Sequence, residues 1–156
     1  MTNFPDIPEE KHSSPISLVK HCDIDIPVTK NQLKKLIKII EQHENVSFNH
    51  VELVYFDEKD MVELNKKHFN RDYVTDIISF RYDEDESNRA IEGTLFCCAP
   101  RITEQSTEFS VNEAEEYLRI FIHGILHLTG YNDQTESEKL NMTNLENKYL
   151  KQYQSE

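Results

Sequence analysis

The spacing of apolar residues predicts four strands in the first two thirds of the chain. Apolar and polar side chains alternate over residues 16–26, which is the pattern of a strand. Further strands are predicted over residues 51–56, 75–80 and 93–98. The last two flank the acidic residues 83–86, which are typical of an exposed hairpin connection and are interpreted as a solvated loop. Together these strands predict one small sheet.

Capping residues followed by apolar residues at helical spacing predict five helices. The first begins at the capping box of residues 29–32, and others are predicted over residues 58–69 and 101–109. A second capping box begins a helix over residues 110–128, and a third, at residues 135–138, begins the last helix. The residues predicted to face inward from the second and last helices are Met61, Leu64, Phe69, Leu140, Leu145 and Leu150.

Strands and helices are mixed without strict alternation, so the predicted class is α+β, with a small mixed four-stranded sheet packed with helices. Residues 1–14 contain Pro5 and Pro8 and have no apolar periodicity, which predicts a flexible N-terminal tail. Residues 15–156 are long enough to form a single domain with its own core.

Composition narrows the classes of protein that remain. The net charge of −12 argues against broad, nonspecific nucleic-acid binding, which needs a basic surface, but it does not exclude a local basic site. No apolar run approaches the roughly 20 residues of a membrane span, and the N-terminus lacks a signal-peptide pattern. Cys97 and Cys98 are adjacent and would point to opposite faces of a strand. We therefore expect a cytoplasmic protein with no membrane partner and no disulfide-linked partner.

Residues 123–133 carry the strongest chemical pattern in the chain. His123 and His127 are four positions apart in an apolar run, so on a helix both imidazoles leave the same face. Gly130 permits the left-handed turn that ends a helix, and Asp133 can then return a carboxylate. Two core histidines bonded to carbonyl groups are the alternative, but two ionisable rings in an apolar helix favour a metal site. The expected ion is Zn²⁺, although Ni²⁺, Mn²⁺ and Fe²⁺ accept the same ligands.

Gly124 distinguishes this motif from the His-Glu-x-x-His of metalloproteases, because the glutamate that acts there as general base is missing. Metal-bound water can still act as a nucleophile, so hydrolysis is expected but peptide cleavage is not favoured. A glycine costs a helix about 1 kcal/mol relative to alanine, which predicts that another element packs closely against this position.

A basic cluster of Lys66, Lys67, His68 and Arg71 lies at the end of the second predicted helix and precedes residues 75–76. A basic edge beside a metal cleft suits a phosphodiester substrate, and Lys66 and Lys67 are the predicted substrate-binding residues. Arg71 belongs to the same cluster. Four lysines of the first helix are interpreted instead as a solvated face: Lys30, Lys34, Lys35 and Lys38.

Three segments together resemble the YbeY family of bacterial endoribonucleases. They are residues 123–131, which read His-Gly-x-Leu-His-Leu-x-Gly-Tyr, residues 64–80, and the strand around Gly93. The resemblance implies an α+β fold with the site between the sheet and the helix that carries the two histidines. It also implies a zinc-type, single-strand-specific endoribonuclease whose partners are ribosomal RNA and the small ribosomal subunit, with roles in rRNA maturation and subunit quality control.

The chain departs from this family at three positions. Asp133 stands where the family usually has a third histidine, and as an oxygen ligand it is expected to hold the metal with altered preference. Phe69 stands where the family has the arginine that is its candidate for handling phosphate. Arg71, two residues further along, is the predicted substitute and the predicted catalytic residue. Thr94 stands where the family commonly has aspartate.

Other functions fit parts of the pattern. The acidic composition and the missing arginine are consistent with a non-enzymatic ribosome-assembly factor whose metal is structural. A metallohydrolase of a small molecule or peptide would use the same metal triad. An iron oxygenase with two histidines and one carboxylate has the same ligand set, but such ligands usually lie on strands.

Overall fold

Four strands form a mixed sheet at the centre of the structure: β1 (Ile16–His21), β2 (Phe48–Phe56), β3 (Ile77–Arg81) and β4 (Ile91–Cys98). Their order across the sheet is β1-β2-β4-β3, with β1, β2 and β4 parallel and β3 antiparallel to β4. The computed structural model describes residues 15–84 and 87–156, so the predicted tail of residues 1–14 lies outside the described residues. The predicted α+β class with a mixed four-stranded sheet is confirmed.

Five helices surround the sheet in the described part of the chain: α1 (Lys30–Glu44), α2 (Glu58–Phe69), α3 (Ala99–Glu108), α4 (Glu113–Leu128) and α5 (Glu136–Ser155). Thr29 and Thr135 cap α1 and α5 in capping boxes, as predicted. The capping box predicted for α4 at residues 110–113 is wrong. Asn112 caps α4 instead, because it immediately precedes the helix and its side chain accepts from the third helical N–H, whereas Ser110 has a left-handed φ of 56°. Across residues 15–84 and 87–156, no helix combines the length and apolar character needed to cross a membrane.

The first strand is shorter than predicted and ends at His21 rather than at residue 26. His21 pairs with Phe56, the last residue of β2, so the residues that follow it have no neighbouring strand to bond. Ile24 and Ile26 still pack partly against the core. Their alternating pattern therefore reflects burial on one side rather than β-structure.

The helices divide between the two faces of the sheet. α1, α4 and α5 pack on one face and enclose the main core. α2 packs on the other face, where Met61 meets Val54 and Ile78 in a smaller cluster. Cys97 belongs to the main core and Cys98 to the smaller cluster, and both are buried free thiols. The two adjacent cysteines therefore point to opposite faces, as predicted.

Two residues that were predicted to face inward are exposed. Leu140 is 63% exposed and Phe69, at the end of α2, is 42% exposed. The buried residues of α5 are Met142, Glu146, Tyr149 and Leu150. Leu140 lies about 200° around the helix from the first of these, which places it on the solvent side.

Gly124 lets α4 approach the sheet closely. A Cβ atom at this position would lie 2.6 Å from Cδ1 of Ile77 and 3.0 Å from both Cδ atoms of Leu95. The predicted close packing at this glycine is confirmed. This packing holds the part of α4 that carries the histidines beside β3.

Candidate metal centre

The last turns of α4 and the loop that follows bring three metal-ligating side chains together. His123 and His127 are one helical turn apart, and Gly130, with φ of +112°, reverses the chain so that Asp133 returns to them. The Nε2 atoms of the two histidines are 3.0 Å apart. Oδ2 of Asp133 lies 3.3 Å from Nε2 of His123 and 3.2 Å from Nε2 of His127. The three side chains are between 22% and 30% exposed, so a solute can reach them.

These separations fit a metal ion. Zinc–nitrogen and zinc–oxygen bonds of about 2.0–2.1 Å place the ligand atoms of a tetrahedral site about 3.3 Å apart. The three separations in this structure range from 3.0 to 3.3 Å. The residues present therefore fit a site with three protein ligands, which leaves a fourth position for water or substrate.

The second nitrogen of each imidazole fixes which atom faces the centre of the triad. Nδ1 of His127 donates to the carbonyl oxygen of Tyr131 at 3.0 Å, and Nδ1 of His123 donates to Oε2 of Glu146 at 2.6 Å. Because Nδ1 carries the proton in each neutral ring, Nε2 presents a lone pair. Two ring nitrogens and one carboxylate oxygen then converge as acceptors without a donor among them. A cation bound between them would satisfy all three acceptors.

Glu146, on α5, is the site residue that the sequence reasoning missed. It is 8% exposed, and its Oε1 also lies 3.4 Å from Nη1 of Arg119. Burial by itself lowers the pKa of His123, but the hydrogen bond and charge of Glu146, reinforced by two aspartates, raise that pKa above its ordinary value. The sequence does contain a signal for it, because Glu146 lies at helical spacing from the buried residues Met142, Tyr149 and Leu150 of α5. The prediction of the inward side of this helix considered only its leucines and therefore missed the glutamate.

The triad opens into a cleft of about 530 Å³ formed by α4, the loop after it and β3. Phe69 and Arg71, from the end of α2 and the following loop, line this cleft together with Asp76 and Arg81. The structure thus brings Arg71, the predicted catalytic residue, to the same cleft as the three predicted metal ligands.

The two predicted substrate-binding lysines lie elsewhere. Lys67 lines a separate hollow with His21 and Phe56 on the α2 side of the sheet. Lys66 is exposed on α2, and within the described residues neither lysine lines the triad cleft. Lys67 faces the hollow on the α2 side of the sheet, whereas Phe69, the last residue of α2, stacks on Phe80 of β3 and so reaches the cleft. Thr94 is buried in β4 and points to the α2 side as well.

Arg81 ties the end of α4 to the sheet. Its Nη1 donates to the carbonyl oxygen of Leu128 at 2.9 Å, and its Nε and Nη2 pair with the carboxylate of Asp83 at 2.8 and 2.9 Å. The side chain of Asp83 is only 7% exposed. The prediction of a solvated loop over residues 83–86 is therefore wrong at its first position, because the guanidinium draws this carboxylate in; residues 85–86 lie outside the described residues.

Comparisons with known proteins identify the family of this chain. A family model described as "Endoribonuclease YbeY" matches residues 18–154. A protein named Endoribonuclease YbeY from Chloroherpeton thalassium is 33% identical over 135 residues, which cover 86% of this chain and 94% of the relative. Another of that name, from Flavobacterium psychrophilum, is 33% identical over 108 residues, covering 69% and 75% of the two chains. The solution structure of a Thermotoga maritima protein shares the fold, with a TM-score of 0.57 and 24% identity over 88% of each chain. The chain therefore belongs to the YbeY endoribonuclease family.

Proposed function

We propose that this chain is a metal-dependent, single-strand-specific endoribonuclease that acts in the cytoplasm, in ribosomal RNA maturation and in quality control of the small ribosomal subunit. Membership of the endoribonuclease family supports the reaction. The observation that carries the proposal is the convergence of acceptor atoms from His123, His127 and Asp133, because such a set suits a cation at the base of an open cleft. Residues 15–156 would work as one domain.

The proposed ion is Zn²⁺, since mixed nitrogen and oxygen ligands with separations near 3.3 Å suit a small tetrahedral ion. When bound, such an ion lowers the pKa of its water to about 7 and polarises a phosphoryl oxygen. His123 and His127 would hold it through Nε2, with each ring oriented by the partner of its Nδ1. Asp133 would bind the ion through a carboxylate oxygen and would be the negatively charged member of the three ligands.

Arg71 is the proposed phosphate-binding group of the cleft. Its Nε and Nη2 lie 3.1 and 2.7 Å from Oδ1 of Asn65, and these two bonds fix the plane of the guanidinium. Among the described residues, Nη1 has no hydrogen-bond partner, so it is available to a phosphoryl oxygen and would stabilise negative charge that develops there. Lys66 and Lys67, outside the cleft, would bind phosphates further along the same RNA strand.

The test is cleavage of single-stranded fragments of small-subunit rRNA by the purified protein. Cleavage should stop when the metal is chelated, return when Zn²⁺ is restored, and be lost in His127→Ala. The matched control is His50→Ala, because His50 is exposed on β2 and its ring contacts Ser17 rather than the triad. Cleavage that continues undiminished both in chelator and in His127→Ala would refute the proposal.

A non-enzymatic ribosome-assembly factor with a structural metal is the second candidate. The observation that favours it is Phe69, an aromatic side chain at the rim of the cleft where the family resemblance places a cation. This candidate predicts that the protein copurifies with small ribosomal subunits and loses stability on chelation, yet never cleaves RNA. The cleavage assay described above separates the two candidates.

A further inference from the structure

An exposed stack of planar side chains stands at the rim of the metal cleft. The guanidinium carbon of Arg71 lies 4.7 Å from the ring centroid of Phe69 and 5.4 Å from that of Tyr73. Phe69 and Tyr73 are 42% and 53% exposed. We call Phe69, Arg71 and Tyr73 the stacking platform. A single exposed aromatic ring is common on protein surfaces, but here two exposed rings flank a guanidinium at the rim of a cleft and form one contiguous surface, which is typical of a binding site.

The platform is held rigidly from beneath. The ring of Phe69 stacks on that of Phe80 with centroids 6.1 Å apart and 19° between the planes. Phe80 in turn contacts Phe96 edge to face on the α2 side of the sheet. The ring of Phe69 therefore continues a packed aromatic row, which means that little side-chain entropy is lost when a ligand stacks on it.

A fully buried asparagine fixes the loop that carries the rest of the platform. Asn65 is 0% exposed, and its Oδ1 accepts both hydrogen bonds of Arg71. Its Nδ2 lies 3.0 Å from the carbonyl oxygen of Tyr73 and 3.2 Å from Oγ1 of Thr75. One side chain of α2 thus sets the positions of both Arg71 and Tyr73 relative to the cleft.

We propose that the stacking platform binds an unpaired nucleobase of the RNA, next to the phosphate that enters the metal cleft. The inference rests on the proposed function for the identity of the substrate. Exposed aromatic rings and a guanidinium plane are the groups on which single-stranded bases stack, and this stacking is tolerant of sequence. In a duplex the base faces are covered by their neighbours, so the platform selects single strands. At the position where the family resemblance places an arginine, Phe69 would then stack on a base instead of contacting a phosphate.

The charge of the surroundings favours a nucleotide over an apolar protein segment. Phe69 and Arg71 line the triad cleft directly. The last turn of α2, immediately before the platform, carries Lys66, Lys67 and His68. This basic edge on a chain of net charge −12 would attract the phosphates that flank a stacked base.

The test measures stacking directly. The full-length protein loaded with zinc is mixed with a short single-stranded RNA that contains 2-aminopurine and phosphorothioate linkages, which slow cleavage. Wild-type protein should bind this strand and quench the 2-aminopurine fluorescence, and it should bind the matching duplex more weakly. Phe69→Ala and Tyr73→Ala should each weaken binding about 5- to 100-fold and remove most of the quenching.

Two conservative variants control for loss of binding that is caused by misfolding. Phe69→Trp and Tyr73→Phe keep an aromatic face and should retain binding and quenching. Phe109→Ala is the matched control, because Phe109 is 61% exposed at the end of α3. Alanine variants that bind and quench like wild type would overturn the platform while leaving the nuclease intact. Wild-type protein that quenches but never cleaves unmodified RNA would refute the proposed function and uphold the platform, and wild-type protein that fails to bind the strand would overturn the platform.

Discussion

His123 and Glu146 are joined by a hydrogen bond of 2.6 Å between Nδ1 and Oε2 that links α4 to α5. A carboxylate in this position selects the tautomer of the ring, directs Nε2 toward Asp133, and makes that nitrogen a stronger donor to a metal. The same carboxylate also pairs with Arg119, so its own orientation is fixed. The metal triad is therefore supported by an element that contributes no ligand to it.

We expect Glu146→Gln to weaken zinc binding about 10- to 100-fold, because the amide oxygen can still accept from Nδ1 but no longer carries charge. Glu146→Ala should weaken it further, since the ring then loses its orienting partner. Competition against a zinc-chelating dye measures the affinity. Glu136→Gln makes the same chemical change at an exposed position of α5 and should leave the affinity unaltered. Equal zinc affinities for Glu146→Gln and wild type would show that the contact does not orient the ligand.

Asp133→Ala should reduce zinc affinity by more than Glu146→Gln does, because it removes a metal ligand, whereas Glu146→Gln alters only a residue that orients a ligand. Asp133→His should restore binding, since imidazole is a competent third ligand, and should shift the preference toward metals that favour nitrogen. Elemental analysis of the purified variants, with Asn132→Ala as the neighbouring control, gives the metal content. Full zinc content in Asp133→Ala would remove Asp133 from the ligand set.

The metal ligands could be predicted from the sequence because local geometry determines where they lie. His123 and His127 share a face of α4 by helical periodicity alone. Asp133 is three residues after Gly130, where the chain reverses, so the sequence also indicates that its carboxylate returns to the histidines. These three positions depend on one helix end and not on the rest of the fold.

The remaining site residues depend on packing between distant elements, which spacing does not reveal. Glu146 reaches His123 only because α5 lies against α4 with its glutamate turned inward. Lys67 is close to Arg71 in sequence, but it faces a hollow on the α2 side of the sheet. Of the predicted substrate-handling residues, only Arg71 lines the triad cleft.

Glu44 should anchor the loop after α4 through two tyrosines. Tyr131 Oη donates to one carboxylate oxygen at 2.7 Å, and Tyr149 Oη donates to the other. The hydrogen bond to Glu44 raises the pKa of Tyr131 to about 12, so this hydroxyl remains a donor at neutral pH. Tyr149 is 0% exposed, whereas Tyr131 is partly open to water. Tyr149→Phe should therefore lower the free energy of unfolding by about 1.5–3 kcal/mol, and Tyr131→Phe by less.

Chemical denaturation of the two variants measures this difference. Tyr82→Phe is the control, because Tyr82 is 57% exposed and water can replace any contact of its hydroxyl. Zinc affinity should stay close to that of wild type in Tyr131→Phe, since the contact to His127 comes from the backbone carbonyl of Tyr131 and not from its ring. A larger loss of stability in Tyr131→Phe than in Tyr149→Phe would contradict the burial argument.

Two glycines beside α4 should respond differently to alanine, because different atoms occupy the space that a Cβ would need. At Gly93 the Cβ would lie 2.5 Å from the backbone oxygen of Phe80, which cannot move unless β3 moves with it. At Gly124 the nearest atom is the terminal methyl of Ile77, at 2.6 Å, which can rotate away. Alanine also recovers about 1 kcal/mol of helix propensity at this second position. Urea unfolding should therefore show that Gly93→Ala lowers the free energy of unfolding by about 1–3 kcal/mol and that Gly124→Ala changes it by less. The reverse order would mean that the close packing of α4 on the sheet, and not the pairing of β3 with β4, limits which side chains these positions tolerate.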